Sequence, residues 1–366
     1  MHDNGSLPNC MDPPTDFHTS LYAATYTIIF VPGLLANGLA LWVLCRFVSK
    51  KSKAVIFMIN LAAADLAHVF SLPLRMYYYL NHRWPFGSFL CQVCFYLKYL
   101  NMYASIFFLT CISIQRYLFL LHPFKAKNWK RRYDIAISAA VWTGVGAACL
   151  PLPILRSSDL SNDTSTCFAD LGMKQVAMGA SITLVVVAEF AGFVVPLTLI
   201  LYCTWKMRQS LQENETIHTP LQPTSEKRKA LRMILACAAV FFVCFTPYHV
   251  NFPIFMMVKR EAILDCAVRH RALYFHPISL CLASLNCCLD PILYYFTTSE
   301  FQERLLCCNN ASILNRITNH YSNSTTSSTG EKNEEGEKNK SILMAYFWTP
   351  RPQRFERDSM ESPLSS

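Results

Sequence analysis

Seven long apolar segments constrain this chain more than any other feature. They lie near residues 22–46, 55–80, 91–117, 133–155, 177–205, 230–257 and 271–296. Each reaches the ~20 residues that a helix needs to cross a hydrocarbon layer ~30 Å thick. Backbone polar groups in lipid must be satisfied within the segment, so segments of this kind become helices. The predicted fold class is therefore an all-α membrane protein, a seven-transmembrane helix bundle. Composition agrees: 52% of the 366 residues are hydrophobic and 16% charged, against about 25% charged in soluble domains. The first twenty residues are polar, and the first apolar run is too long for the core of a cleavable signal peptide. No internal repeat stands out.

The net charge of +9 is sorted along the chain. Arg46, Lys50, Lys51 and Lys53 follow the first segment. Lys125, Lys127, Lys130, Arg131 and Arg132 follow the third. Lys206, Arg208, Lys227, Arg228, Lys229 and Arg232 flank the fifth connection. The other side holds fewer cations, among them Arg83, Arg156, Lys174, Lys259 and Arg260. Cations gather on the cytoplasmic side, which predicts an extracellular N-terminus and a cytoplasmic C-terminus in the plasma membrane. The same sorting makes nucleic acid a poor partner. Sequons at Asn4 and Asn162 then fall outside and are candidate glycosylation sites.

Four divisions follow: an extracellular tail over 1–21, the bundle over 22–298, a short amphipathic eighth helix over 299–308, and a cytoplasmic tail over 309–366 too polar to bury a core. Phe301 and Leu305 oppose Glu300, Glu303 and Arg304 on the amphipathic stretch, which suits the membrane surface. Cys307 and Cys308 follow it and are placed for palmitoylation. The hydroxyl cluster 322–329 is a candidate phosphorylation-dependent docking site.

Ionisable or polar groups inside a span are costly and mark function. Asp65, Asn37, Asn286 and Asp290 are such groups; the last two are four residues apart and share a helix face. With Ser105 they could form a hydrated pocket for Na⁺, since two acids in one low-dielectric pocket rarely both ionise without a cation. The third segment carries Lys98 near one end and Arg116 near the other, 18 positions or ~27 Å apart on one helix face. Pro196, Pro247 and Pro291 interrupt their spans, and Pro247 is a candidate hinge. Most of the sixteen cysteines lie in apolar runs and act as small hydrophobes. Cys10, Cys91, Cys167 and Cys266 sit instead in polar or segment-edge positions.

The order of these features resembles the rhodopsin-like G-protein-coupled receptors over roughly residues 20–308. The matching residues are Asn37-Gly38, LAAAD with Asp65, Cys91, Gln115-Arg116-Tyr117, Trp142, Pro196, Phe241-x-x-Cys-Phe245-x-Pro247 and Asp290-Pro-x-x-Tyr294. The resemblance implies a Cys91–Cys167 disulfide and, as in nucleotide-receptor relatives, a second from Cys10 to Cys266. It also implies that Arg116 meets a heterotrimeric G protein, that Tyr294 rearranges on activation, and that arrestin binds the phosphorylated tail. Three positions depart from the pattern: Gln115 stands for the usual acid, Phe245 for the toggle tryptophan, and Thr204 for a tyrosine eight residues after Pro196. Within the family the chain is similar to the purinoceptor-like branch that includes lysophosphatidylserine receptors, through SLPLRMYYYLNHRWPFG, CFYLKYLNMYASI, FTPYHVNFP and CLASLNCCLDPILYYF.

The outer ends of the spans offer Arg75, Lys98 and Arg156, with Tyr78, Tyr99, Tyr103, His249 and Phe252 at similar depth. Cations facing a cavity need an anion, and aromatic walls suit a chain or ring. The ligand expected is an amphiphilic anionic lysophospholipid, lysophosphatidylserine-like. Nucleotide receptors of this branch carry a second cation three residues after the sixth-span histidine, where Phe252 stands here. That argues against a triphosphate, though a nucleotide receptor remains the alternative. A non-signalling decoy is another, motivated by Gln115, Phe245 and Thr204. Relatives suggest the Rho-activating Gα class. An enzyme is not expected: His68, His249 and His276 are scattered singly, without the clustered ligands of a zinc hydrolase.

Overall fold

The computed structural model describes residues 14–48, 55–151, 153–154, 167–168, 177–217 and 224–297. The described regular structure is helical. The first helix, Thr15–Val43, continues into a π-helical turn, Leu44–Val48. The second is Val55–Asn81 and the third Gly87–Leu121, followed by a short helix, Pro123–Lys127. The fourth is Arg131–Cys149. The fifth is built from Met178–Val186, a π-helical stretch Val187–Val194, and Val195–Ile217. The sixth repeats that plan with Thr224–Val240, Phe241–Phe245 and Thr246–Lys259. The seventh runs Cys266–Ser284, breaks at Leu285, and resumes as Asn286–Thr297. The stretch 299–308, expected as an eighth helix, lies outside the described residues.

Six of these helical runs are long and apolar enough to cross a membrane. The fourth is shorter, starts with Arg131, Arg132 and Asp134, and is diluted by Ala and Gly. Several helices outrun the apolar segments that announce them: the third begins four residues before Cys91 and ends four after Tyr117. Backbone hydrogen bonding continues past the slab wherever no Gly or Pro stops it, so apolarity marks the hydrocarbon crossing and not the helix end.

The packing is that of a protein dissolved in lipid. Ile28, Leu35, Phe70, Ile182, Phe190 and Trp205 face outward, while Asn37, Asp65, Arg75, Asn101, Ser105 and Asp290 are buried. The third helix touches the second, fourth, fifth, sixth and seventh, so it is the bundle's axis. At the centre Phe108, Leu109, Phe241 and Phe245 are fully enclosed.

Prolines shape the helices in two ways. Pro196 and Pro247 each follow a π-helical stretch, where the widened turn accommodates the missing N–H and the clash with the carbonyl four residues back. Pro32, Pro73, Pro253 and Pro277 sit inside continuous helix. Asp265 caps the seventh helix, its carboxylate accepting from the Ala267 and Val268 N–H groups at 2.8 and 2.9 Å.

Candidate functional site

The first element of the site is a disulfide. Cys91, in the first turns of the third helix, bonds Cys167 of the connection between the fourth and fifth helices. The adjacent Phe168 is thereby held over the bundle. It stacks on Tyr79 at 5.8 Å, meets Tyr78 edge-on at 5.3 Å, and lies under the Arg75 guanidinium at 4.7 Å. Cys266 is also disulfide-bonded; its expected partner, Cys10, lies outside the described residues, as do Arg156, Asn4, Asn162, Cys307 and Cys308.

Below Phe168 is a cavity of about 860 Å³. Arg75, Tyr78, Lys98, Tyr99, Tyr103 and Phe252 all line it, so most of the expected contacts converge. Lys259 and His276 join them from the sixth and seventh helices. Each of the three cations lies over an aromatic ring: Arg75 over Phe168, Lys98 over Tyr22 at 5.3 Å, and Lys259 over Phe255 at 5.6 Å. Such contacts help to hold a cation in place. Arg75 also donates to the Cys94 carbonyl, while its buried Nε has no hydrogen-bond partner among the described residues.

The cavity does not end under the cations. It continues as a groove against the fourth and fifth helices, lined by Phe107, Ile137, Ala140, Val141, Gly144, Ala148, Leu184, Ala188 and Ala191. Ala140, Gly144, Ala148 and Ala191 are exposed along it. From Ile137 to Ala148 it follows the fourth helix for roughly 16 Å. A Cβ at Gly144 would meet nothing within 4 Å. Gly192 differs: a Cβ there would come within 2.7 Å of the Tyr103 ring, so the glycine lets the fifth helix close on the third.

His249 does not line the cavity but sits behind it. Its Nδ1 is 3.1 Å from Glu189 Oε1, and its ring stacks on Phe193 at 4.5 Å and meets Tyr103 edge-on at 5.8 Å. Phe193 stacks in turn on Phe241, which meets Phe245 edge-on. An unbroken aromatic series thus runs from the cavity wall to the π-helical stretch before Pro247.

Deeper in, the expected polar cluster assembles. Asp65 Oδ1 accepts from Asn101 at 2.9 Å and from Asn286 at 3.3 Å. The Asn286 amide also reaches Ser105 Oγ at 3.0 Å and Asp290 Oδ2 at 3.4 Å. Asp65 Oδ2 and Asp290 Oδ1 are buried with no hydrogen-bond partner among the described residues. Hard oxygens left over from two carboxylates, with a hydroxyl beside them, fit a small cation such as Na⁺. Asn37 donates to the Gly33 and Cys287 carbonyls and ties the first helix to the seventh.

Toward the C-terminal end of the third helix, Gln115 has an acid after all. Its Nε2 donates to Asp134 Oδ1 at 3.0 Å, and Trp129 Nε1 donates to the same oxygen at 2.7 Å. The carboxylate missing beside Arg116 in sequence is supplied to Gln115 by the fourth helix. Asp134→Ala would strand the buried Gln115 amide at about 1–3 kcal/mol and the half-buried Trp129 indole at less; we expect a clearly lower Tm for the purified protein, with Asp134→Asn, which keeps one acceptor, in between. Thr204 turns back to the Ile200 carbonyl at 2.8 Å. A different fifth-helix tyrosine, Tyr202, meets Tyr117 edge-on at 5.8 Å. The Tyr294 side chain lies outside the described residues.

These features, with a helical bundle and a membrane-facing apolar surface, set the frame for comparison with known proteins. The family described as 7 transmembrane receptor (rhodopsin family) matches residues 36–294. The chain belongs to this family. It is a multi-pass plasma-membrane receptor that couples to a G protein, and not an enzyme. It is 62% identical over 299 residues to a mouse protein named as a putative purinoceptor, covering 81% of this chain and 90% of that one. It is 52% identical over 292 residues to human "Probable G-protein coupled receptor 174", with 80% and 87% covered. It is 35% identical over 301 residues to human "Lysophosphatidic acid receptor 4", with 82% and 80% covered. These relatives place the receptor in the purinoceptor-like branch.

Four functional candidates escape the sequence reading. Glu189 is an acid inside an apolar run, and the cost of such a group was signal enough to find it. Asn101 lies between Lys98 and Ser105 on the same helix face. Asp134 reads as a first-turn acid complementing the helix dipole. Lys259 ends an apolar run and reads as an interfacial anchor.

Proposed function

We propose that this receptor recognises an anionic lysophospholipid with a lysophosphatidylserine-like head, with its N-terminus extracellular. One observation carries the reading: a single cavity joins three cations to an apolar groove along the fourth and fifth helices. The phosphate would sit between Arg75 and Lys98. Arginine's fork suits that group. Lys259 would meet a further anionic group of the head. The acyl chain would lie in the groove, each buried methylene contributing ~0.8 kcal/mol. The name of one relative, a lysophosphatidic acid receptor, agrees with this class of ligand.

A nucleotide is the second reading, favoured by the third cation and by a relative named as a purinoceptor. It leaves the groove without an occupant. A Rho reporter in cells, challenged with a lysophospholipid panel and with nucleotides, separates the two and also tests coupling to the Rho-activating Gα class. Silence to every lysophospholipid beside a clear nucleotide response would overturn our assignment. Specific lipid binding without any G-protein response would favour a decoy.

The proposal extends to the rest of the chain. Na⁺ would bind Asp65, Asp290 and Ser105 between the cavity and the inner end, supporting the inactive arrangement. Asp65→Asn is expected to abolish the effect of NaCl on agonist affinity; replacement of Na⁺ by choline at fixed ionic strength measures it. Phe241, Phe245 and Pro247 would transmit closure of the cavity to Arg116 and Tyr117. Arrestin would read the phosphorylated tail, with Cys307 and Cys308 palmitoylated.

A further inference from the structure

A second cavity, of about 360 Å³, lies at the start of the fourth helix and shares Ile137 with the groove of the first. It is lined by Lys125 and Asn128 from the segment after the third helix, and by Trp129, Tyr133, Ala136 and Ile137. Tyr133, Ala136 and Ile137 are three and four residues apart and form one face of the fourth helix. That face rises from the polar rim into the apolar slab. Lys125, Lys127, Lys130, Arg131 and Arg132 are all exposed around it.

We infer that this cavity is a binding site for one anionic glycerophospholipid of the adjacent leaflet. The gradient along the wall carries the assignment: cations at the rim, aromatic Trp129 and Tyr133 at headgroup depth, and Ala136 and Ile137 beyond them. A phosphate with a second negative group sits among the lysines, the glycerol against the rings, and the first methylenes on the fourth helix. A free phosphate would make no use of the apolar wall. Tyr and Trp at this depth match the amphipathic boundary of a bilayer, and basic residues beside it draw anionic lipid.

The site is wired to the transducing end of the receptor. Trp129 forms one wall and donates its indole N–H to Asp134, the same oxygen that holds Gln115. A lipid packed on Trp129 fixes the indole on Asp134, and through it Gln115, the residue before Arg116. The lipid would therefore act as a membrane-borne modulator of coupling, in a cavity that adjoins the groove at Ile137.

The inference rests on the orientation proposed above for which leaflet supplies the lipid. It is tested without agonist, so failure of the outer-ligand reading leaves it standing. The full-length receptor, in phosphatidylcholine nanodiscs, is labelled with photoreactive phosphatidylserine or phosphatidylcholine of identical chains, and the adducts are mapped. We expect phosphatidylserine to label residues 125–137 about five-fold more than phosphatidylcholine. Lys125→Ala, at an exposed position, should remove most of that preference, and Lys125→Arg should restore it; one cation at an anionic surface is worth about this factor. Trp129→Phe should keep the labelling but flatten the dependence of G-protein nucleotide exchange on phosphatidylserine content. Equal labelling by the two lipids, or labelling indifferent to Lys125→Ala, would overturn the site. Competition by millimolar inorganic phosphate would reduce it to a simple anion site and overturn the lipid assignment.

Discussion

Lys98→Ala is expected to lower the potency of a lysophospholipid about 100-fold while leaving surface expression unchanged. Lys98 is half-buried, lines the cavity, and is held over the Tyr22 ring. Loss of one partner from a desolvated charge pair costs roughly 2–5 kcal/mol, and each 1.4 kcal/mol is tenfold. Arg75→Ala is expected to be worse. Arg75 is almost wholly enclosed, bonds the Cys94 carbonyl, and carries Phe168 on its guanidinium. Its removal takes away both an anion contact and the support of the residue that covers the cavity. Arg75→Lys keeps the charge but not the fork, so it should recover only part of the loss. Concentration–response curves with parallel surface labelling measure all three. Normal potency in both alanine variants would refute the anion site.

Gly144→Leu should separate long-chain from short-chain ligands. The position faces open groove, where an added Cβ would meet nothing within 4 Å. It occupies the volume that we assign to about four methylenes, or ~3 kcal/mol of burial. Potency for a long-chain lysophospholipid should fall about 100-fold, and that for a short-chain analogue should barely change. Fluorescence thermal stability of the purified protein should match the parent, which separates groove filling from misfolding. A substitution at Gly192 cannot serve the same purpose, since its Cβ would strike Tyr103.

How far the sequence alone reaches follows from the physics of each feature. The seven spans are legible because lipid imposes one rule on each of them separately: a long apolar run with no unsatisfied backbone. The pairing of Asp65 with Asn286 is legible because every polar group inside such a run needs a partner. Lys98, Tyr99 and Tyr103 converge as expected because one helix fixes their spacing. What was not legible depends on how helices meet. Asp134 sits near a helix start, where an acid needs no further explanation, yet it closes on Gln115 across nineteen positions of sequence. The groove exists because small residues of the fourth helix face small residues of the fifth, and neither run is unusual alone. The π-helical stretches before Pro196 and Pro247 are a local repair of proline's missing donor, and no residue pattern distinguishes them from a kink. Glu189 is a different case: the rule that identified Asp65 applied to it equally, and its partner His249 was already a candidate.

The central claim is that the cavity and the groove together hold a lysophospholipid. Competition binding tests it most directly: purified receptor, radiolabelled lysophosphatidylserine, and unlabelled lysophosphatidylserine, lysophosphatidic acid and ATP as competitors. The account predicts saturable binding that unlabelled lysophosphatidylserine displaces, that lysophosphatidic acid displaces more weakly, that ATP does not displace, and that Lys98→Ala and Gly144→Leu each reduce. Saturable displacement by ATP, or lipid binding indifferent to both substitutions, would contradict it.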